Sequence, residues 1–129
     1  MDADQTVASV KALLDTRPGA VAEPAPAPKP TSTPSAFLYK VKGKMFAILA
    51  TGKVKAVSLK CDPHLAEILR EQYQGVGHRY HLDRRHWISV ELDADVPADE
   101  IERLVLGSYD LVRAGLTRKQ RAELEGLGS

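Results

Sequence analysis

Apolar positions along the chain follow two periods, and the switches between them mark out the elements. Val7, Val10, Leu13 and Leu14 recur at helical spacing, which predicts a short amphipathic helix over 4–15, ended by Arg17-Pro18-Gly19. From Ala36 the period shortens to two. Phe37, Tyr39 and Val41 alternate with Leu38, Lys40 and Lys42, as on a strand with one buried face. Lys42-Gly43-Lys44 reads as a tight hairpin, because glycine accepts the positive φ that a two-residue turn demands. Met45–Ala50 is an apolar run of strand length, Thr51-Gly52-Lys53 turns the chain, and Val54–Lys60 reads as a third strand with Val57 and Leu59 inward. Three strands joined by short turns predict an antiparallel meander.

Helical spacing returns at Cys61-Asp62-Pro63, where Asp62 is a cap and Pro63 suits the first helical position. Leu65, Ile68, Leu69 and Tyr73 define the expected buried face, and Gly75 and Gly77 break the helix. A fourth strand follows with Ile88, Val90 and Leu92 on one side and Trp87, Ser89 and Glu91 on the other. With helices on the first side, Trp87 is expected on the opposite, more open face, together with Ser58 and Lys60. Pro97 opens a long helix to about Ala114, with Asp99 and Glu100 in its first turn and a stripe of Ile101, Leu104, Val105, Ser108, Leu111 and Val112. Gly115 stops it. Thr117 with Gln120 forms a capping box for a last short helix, Arg118–Leu124. The expected fold class is α+β, an antiparallel β-sheet with helices packed on one face.

Between the first helix and the first strand, Ala20–Ser35 holds Pro24, Pro26, Pro28, Pro30 and Pro34. Proline lacks an amide donor and disfavours helix before it, so an extended loop is expected there. A length of 129 residues suits one domain, placed at 1–124 with a tail at 125–129. The single cysteine, Cys61, excludes an intrachain disulfide framework and fits a reducing compartment, so the cytoplasm is the expected location. No apolar run reaches the length of a membrane span.

Charge changes the picture. The net value is only +1, but residues 40–87 carry ten Lys/Arg against four Asp/Glu, a net +6. Residues 88–129 carry five against nine, a net −4. The basic segment culminates in Gly77–Trp87, where Arg79, Arg84, Arg85, His78, His81, His86, Tyr80 and the only Trp fall within eleven positions. Unpaired charges are costly to bury, so this stretch is expected at the surface. Cations beside flat rings suit a polyanion whose bases or sugars can stack. Lys42, Lys44, Lys53, Lys60, Arg79, Arg84 and Arg85 are the candidate phosphate contacts, with Tyr80 and Trp87 as stacking rings and His81 and His86 alongside.

Other chemistries fit less well. His-x2-His-x4-His with His64 and Cys61 matches no closed metal site, and the first helix offers only Asp2, Asp4 and Asp15 to a hard cation. Cys61 precedes a helix N-terminus with His64 three residues on, yet no orienting acid or oxyanion site accompanies them. No metal, no cofactor and no catalysis are therefore expected. The expected protein is a monomer that contacts DNA weakly and in a salt-dependent way; the alternative is a protein- or small-anion-binding module on the same face.

Three blocks also carry a family resemblance. Tyr39-Lys40-Val41-Lys42-Gly43-Lys44-Met45-Phe46-Ala47, Ser58-Leu59-Lys60-Cys61-Asp62-Pro63 and Tyr80-His81-Leu82-Asp83-Arg84-Arg85-His86-Trp87 resemble the MmcQ/YjbR family, and Asp95-Val96-Pro97 and Ser108-Tyr109 also fit. The resemblance covers about residues 1–124. It implies a CyaY-like, that is frataxin-like, fold, and a DNA-binding-like role by analogy with a double-wing arrangement. The chain departs from the family where an acidic and aromatic segment ending in Phe-Gly usually precedes the first strand; Ala20–Ser35 stands there instead.

Overall fold

The computed structural model describes residues 3–25, 35–77 and 82–128. Its elements run α1 (Ala3–Asp15), β1 (Ala20–Pro24), β2 (Ala36–Val41), β3 (Lys44–Thr51), β4 (Lys55–Lys60), α2 (Pro63–Gln72), β5 (Val76–Gly77), β6 (Trp87–Glu91), α3 (Ala98–Ala114) and α4 (Arg118–Gly128). The strands form one six-stranded sheet in the order β1-β2-β3-β4-β6-β5, with every neighbouring pair antiparallel. The fold is α+β, as the periodicities predict.

The expected meander forms through the expected turn. Val41 pairs with Lys44 across a two-residue loop, and Lys42 and Gly43 both have positive φ, +50° and +78°. That is the backbone whose twist matches two antiparallel strands. Val57, Leu59, Ile88 and Val90 meet across β4 and β6 and are fully buried. They face the helical layer, in one core with Val10 and Leu14 of α1, Ala66 and Leu69 of α2, and Leu104, Val105, Tyr109 and Val112 of α3. α3 lies across β3 and β4, and α1 packs beside it.

One irregularity in the sheet fixes how α3 docks. Tyr39 pairs with Ala47 but Lys40 pairs with Met45, so Phe46 is an extra residue in β3. Such a bulge re-aims a side chain. Phe46 and Ala47 are both fully buried. The Phe46 ring stands edge-on between Tyr39 and Tyr109, with centroids 6.3 and 5.4 Å away. Beside it the Ser108 hydroxyl of α3 donates to Phe46 O at 2.5 Å and accepts from Lys60 N at 2.8 Å, so a helix side chain bridges two strands.

Several expectations need correction. Ala20–Pro24 is a strand rather than part of a loop; residues 26–34 lie outside the described residues. β1 is an edge strand, which tolerates a terminal Pro24, and its mostly exposed side chains give no alternating signal. β5 adds a second short edge beside β6. In α2 the buried positions are Ala66 and Leu69, while Leu65 and Ile68 are 41 and 44% exposed. In α3, Tyr109 is buried and Leu111 is 46% exposed. Val54 lies outside β4 and is exposed, and α4 runs to Gly128, so most of the expected tail is helical.

Candidate nucleic-acid interface

Strand register brings most of the candidate cations to one end of the sheet. Lys60, the last residue of β4, pairs with Trp87, the first of β6, and the Lys42-Gly43 turn closes β2 and β3 at that same end. Lys53 lies in the loop between β3 and β4, at the opposite end. Arg79, Tyr80 and His81 lie outside the described residues.

The hairpin tip is tied down. Lys42 Nζ forms a salt bridge with Glu123 of α4, and Lys44 Nζ donates to Gly115 O at 3.3 Å, where the carbonyls at the end of α3 face outward. Lys40 pairs with Glu23 at 3.0 Å. The hairpin tip is therefore docked on α4, and the lysines offered as phosphate contacts there, Lys42 and Lys44, already have acceptors. The hydrogen bond from Lys42, with its charge adding to it, holds the Glu123 carboxyl below its usual range.

Trp87 lies on the expected side of the sheet, opposite Ile88 and Val90, but it is not open: it is 8% exposed. Its register neighbours are Lys60 directly and Ser58 diagonally, and Ser58, Ile48 and Ala56 on the same face are buried too. The side chain is thus largely out of contact with water. This corrects the expectation that Trp87 offers a stacking surface.

What stays exposed is the turn 82–86. Asp83 organises it: Oδ1 accepts from Arg85 N at 2.9 Å, Oδ2 lies 2.6 Å from His86 Nδ1, and Asp83 O accepts from His86 N at 3.1 Å. These contacts, the His86 one foremost, hold the Asp83 carboxyl below the ordinary carboxylate range. Three further carbonyls accept from residues outside the turn. Arg70 of α2 donates through Nη2 to Arg84 O at 2.5 Å and to Trp87 O at 2.9 Å, and Cys61 N donates to His86 O at 2.8 Å. A rigid backbone thus carries the Arg84, Arg85 and His86 side chains into solvent. Among the described residues neither the Arg84 nor the Arg85 guanidinium makes a hydrogen bond or ion pair.

Between α2 and this turn runs an open groove of about 640 Å³, lined by His64, Glu67, Arg70, Glu71, Arg84 and Arg85, with Pro63 at its end. α2 positions its side through the expected cap, with Asp62 Oδ2 accepting from His64 N at 3.0 Å and Leu65 N at 3.1 Å. Arg70 and Asp83 are the residues that sequence reasoning passed over. The Asp83-x-Arg85 spacing is a legible side-chain-to-backbone turn signal; nothing local announces that Arg70 reaches across to it.

Cys61 is buried at the junction of β4 and α2, and burial pushes its thiol up to about 11, with the Asp62 charge adding to the shift. It is therefore a protonated packing residue at neutral pH. Among the described residues no three His, Cys, Asp or Glu side chains gather at a point, and no helix is long and apolar enough to cross a membrane.

Fold and site together define a small α+β module whose exposed chemistry is a cationic turn braced on a helix. A family model described as YjbR matches residues 16–111, and the chain belongs to the YjbR family. YjbR of Escherichia coli K12 is 42% identical over 71 residues, 54% of this chain and 60% of that protein. YyaQ of Bacillus subtilis is 34% identical over 62 residues, 48% of this chain and 52% of that one. The chain thus spans three fifths or less of the length of these two relatives. The crystal structure of Deinococcus radiodurans protein DR2400 superposes with a TM-score of 0.79 at 32% identity, covering 92% of this chain and 87% of that one. A crystal structure from Pseudomonas syringae, at 24% identity and a TM-score of 0.63 over 86% of this chain and 98% of that one, shows likeness of fold alone.

Proposed function

We propose that this protein is a non-enzymatic binding module of the cytoplasm that contacts a nucleic-acid backbone through Arg84, Arg85 and Lys60, without reading base sequence. One observation carries the reading: two adjacent arginines stand exposed, with no acceptor among the described residues, on a turn whose backbone is held at Arg84 O, Arg85 N, His86 N and His86 O. A pre-ordered turn loses little conformational freedom on binding, and guanidinium forks match phosphate oxygens. The footprint is small, because Lys42 and Lys44 are engaged with α4 and the end of α3 and Trp87 is buried.

Neutralising two to three phosphates predicts a slope of log K against log salt of roughly −2 to −3 on duplex DNA. Fluorescence anisotropy with a short labelled duplex, across a salt series starting below 50 mM, tests this. Arg84→Ala with Arg85→Ala should abolish most of the binding and flatten the slope while leaving the melting curve in place. Quenching of Trp87, the only tryptophan, should be slight, since stacking is not the contact. Absence of binding at the lowest salt refutes the reading.

The groove supports a second reading. Glu67 and Glu71 share it with Arg70, Arg84 and Arg85, and mixed charge suits a peptide or a small anion better than a long polyanion. That mode predicts binding that survives moderate salt.

A further inference from the structure

α3 presents a surface that the sheet does not use and that neither Arg84 nor Arg85 lines, although Lys60 stands at its border. Leu111 is 46% exposed. Two turns of α3 flank a hollow of about 390 Å³ between α3 and α2, lined by Arg103, Leu104 and Gly107, by Leu111 at one end, and across from them by Lys60 and Leu65. Leu65 and Ile68 extend the apolar surface along α2. No residue lining this hollow lines the groove beside Arg84 and Arg85.

Gly107 stands in the interior of this 17-residue helix, where glycine is among the least favourable choices. A Cβ built there meets nothing within 4 Å, so nothing inside the molecule calls for glycine. An absent side chain on an exposed helix face permits close approach from outside.

We infer that the occupant is a second copy of this chain, with the two α3 helices crossing antiparallel at Gly107. The argument is self-complementarity, which a two-fold interface requires. A two-fold axis at Gly107 sets residues whose numbers sum to about 214 against each other. The second copy's Leu111 then falls against Arg103 and Leu104, at the hollow, while this chain's Leu111 enters the hollow of the other copy. The same operation brings Arg103, whose side chain is 72% exposed and pairs with Glu100 at 3.2 Å, beside the second copy's Asp110, also exposed. Knob, hole and charge pair all lie on one stripe and all match their own rotated image. One helix face with its α2 margin is small against the roughly 1,200 Å² of a standard interface, so the dimer is weak and concentration-dependent.

Sedimentation velocity and equilibrium on the full chain test this. The weight-average mass should rise from 14.1 kDa toward twice that value between low-micromolar and millimolar protein. Gly107→Leu should weaken association at least tenfold. Gly107→Ala should weaken it less while raising the melting temperature of dilute protein, an opposition that a purely internal role for Gly107 does not produce. Arg103→Asp or Asp110→Arg alone should weaken association, and the two combined should restore it. A mass of one chain throughout, or a dimer indifferent to Gly107→Leu, overturns the inference. Either result leaves the anisotropy experiment on Arg84 and Arg85 unaffected.

Discussion

Ser108→Ala tests how the helical layer is joined to the sheet. At the Phe46 bulge the ladder between β3 and β4 opens, and one buried hydroxyl closes it by donating to Phe46 O and accepting from Lys60 N. Removing that oxygen leaves a buried backbone acceptor and a part-buried backbone donor unpaired. Each orphaned group costs about 1–3 kcal/mol. Partial closure of the two strands recovers some of this, so a loss of about 2–4 kcal/mol is expected. For a domain of this size that lowers Tm by roughly 10 °C. The side chain removed is otherwise small, so a cavity adds little. Urea denaturation at pH 7, fitted for midpoint and slope, gives the number directly. The slope should stay constant, because the change acts on the native state. A destabilisation under about 0.5 kcal/mol, the range of an ordinary surface substitution, refutes the bridging role and with it the account of how α3 registers on the sheet.

Acid should loosen the two loops that flank β5 and β6. Asp83 is held below the ordinary carboxylate range by His86 and Arg85 N, and Asp95 by Gln74 N at 2.8 Å and Gly75 N at 2.7 Å. A lowered folded-state value favours the ionised form, so this stability is complete above the unfolded carboxyl value of about 4 and is lost as pH falls through the folded one. Urea midpoints should therefore drop between pH 5 and 3, and Asp83→Asn with Asp95→Asn should flatten that drop; an unchanged profile counts against the assignment. The Cys61 thiol, buried and pushed up to about 11, should react with a thiol reagent at pH 7 far more slowly than free cysteine, at a rate that rises when the fold is opened by urea. Gly19→Ala should be strongly destabilising, because Gly19 has φ +73° and a Cβ there would lie 2.3 Å from Leu124 Cδ2; a melting curve within 2 °C of the parent would show that α4 does not rest on this turn.

Local chemistry is enough to read some of this protein from its sequence. The Lys42-Gly43 turn, the Asp62-Pro63 cap and the capping box of Thr117 and Gln120, with hydrogen bonds of 3.0 and 3.1 Å, form as their residue types dictate. Each joins atoms only two or three residues apart, and no distant partner is needed to decide it. The inward sets of β2, β4 and β6 are equally legible, because a period of two leaves a strand one choice of face. Charge pattern likewise singled out the arginines at 84 and 85.

Tertiary structure decided the rest, and distance along the chain is the reason. β1 exists because β2 offers it an edge, not because Ala20–Pro24 has a strand pattern. Lys42 and Glu123 are 81 positions apart, so no local signal shows that the hairpin tip is engaged. Leu111 and Tyr109 exchange roles on α3 because the Phe46 bulge sends a ring to meet Tyr109. Trp87 reads from sequence as a ring beside exposed cations, yet in the fold it is buried. Composition names the residues able to meet a ligand; only packing decides which of them remain free to do so.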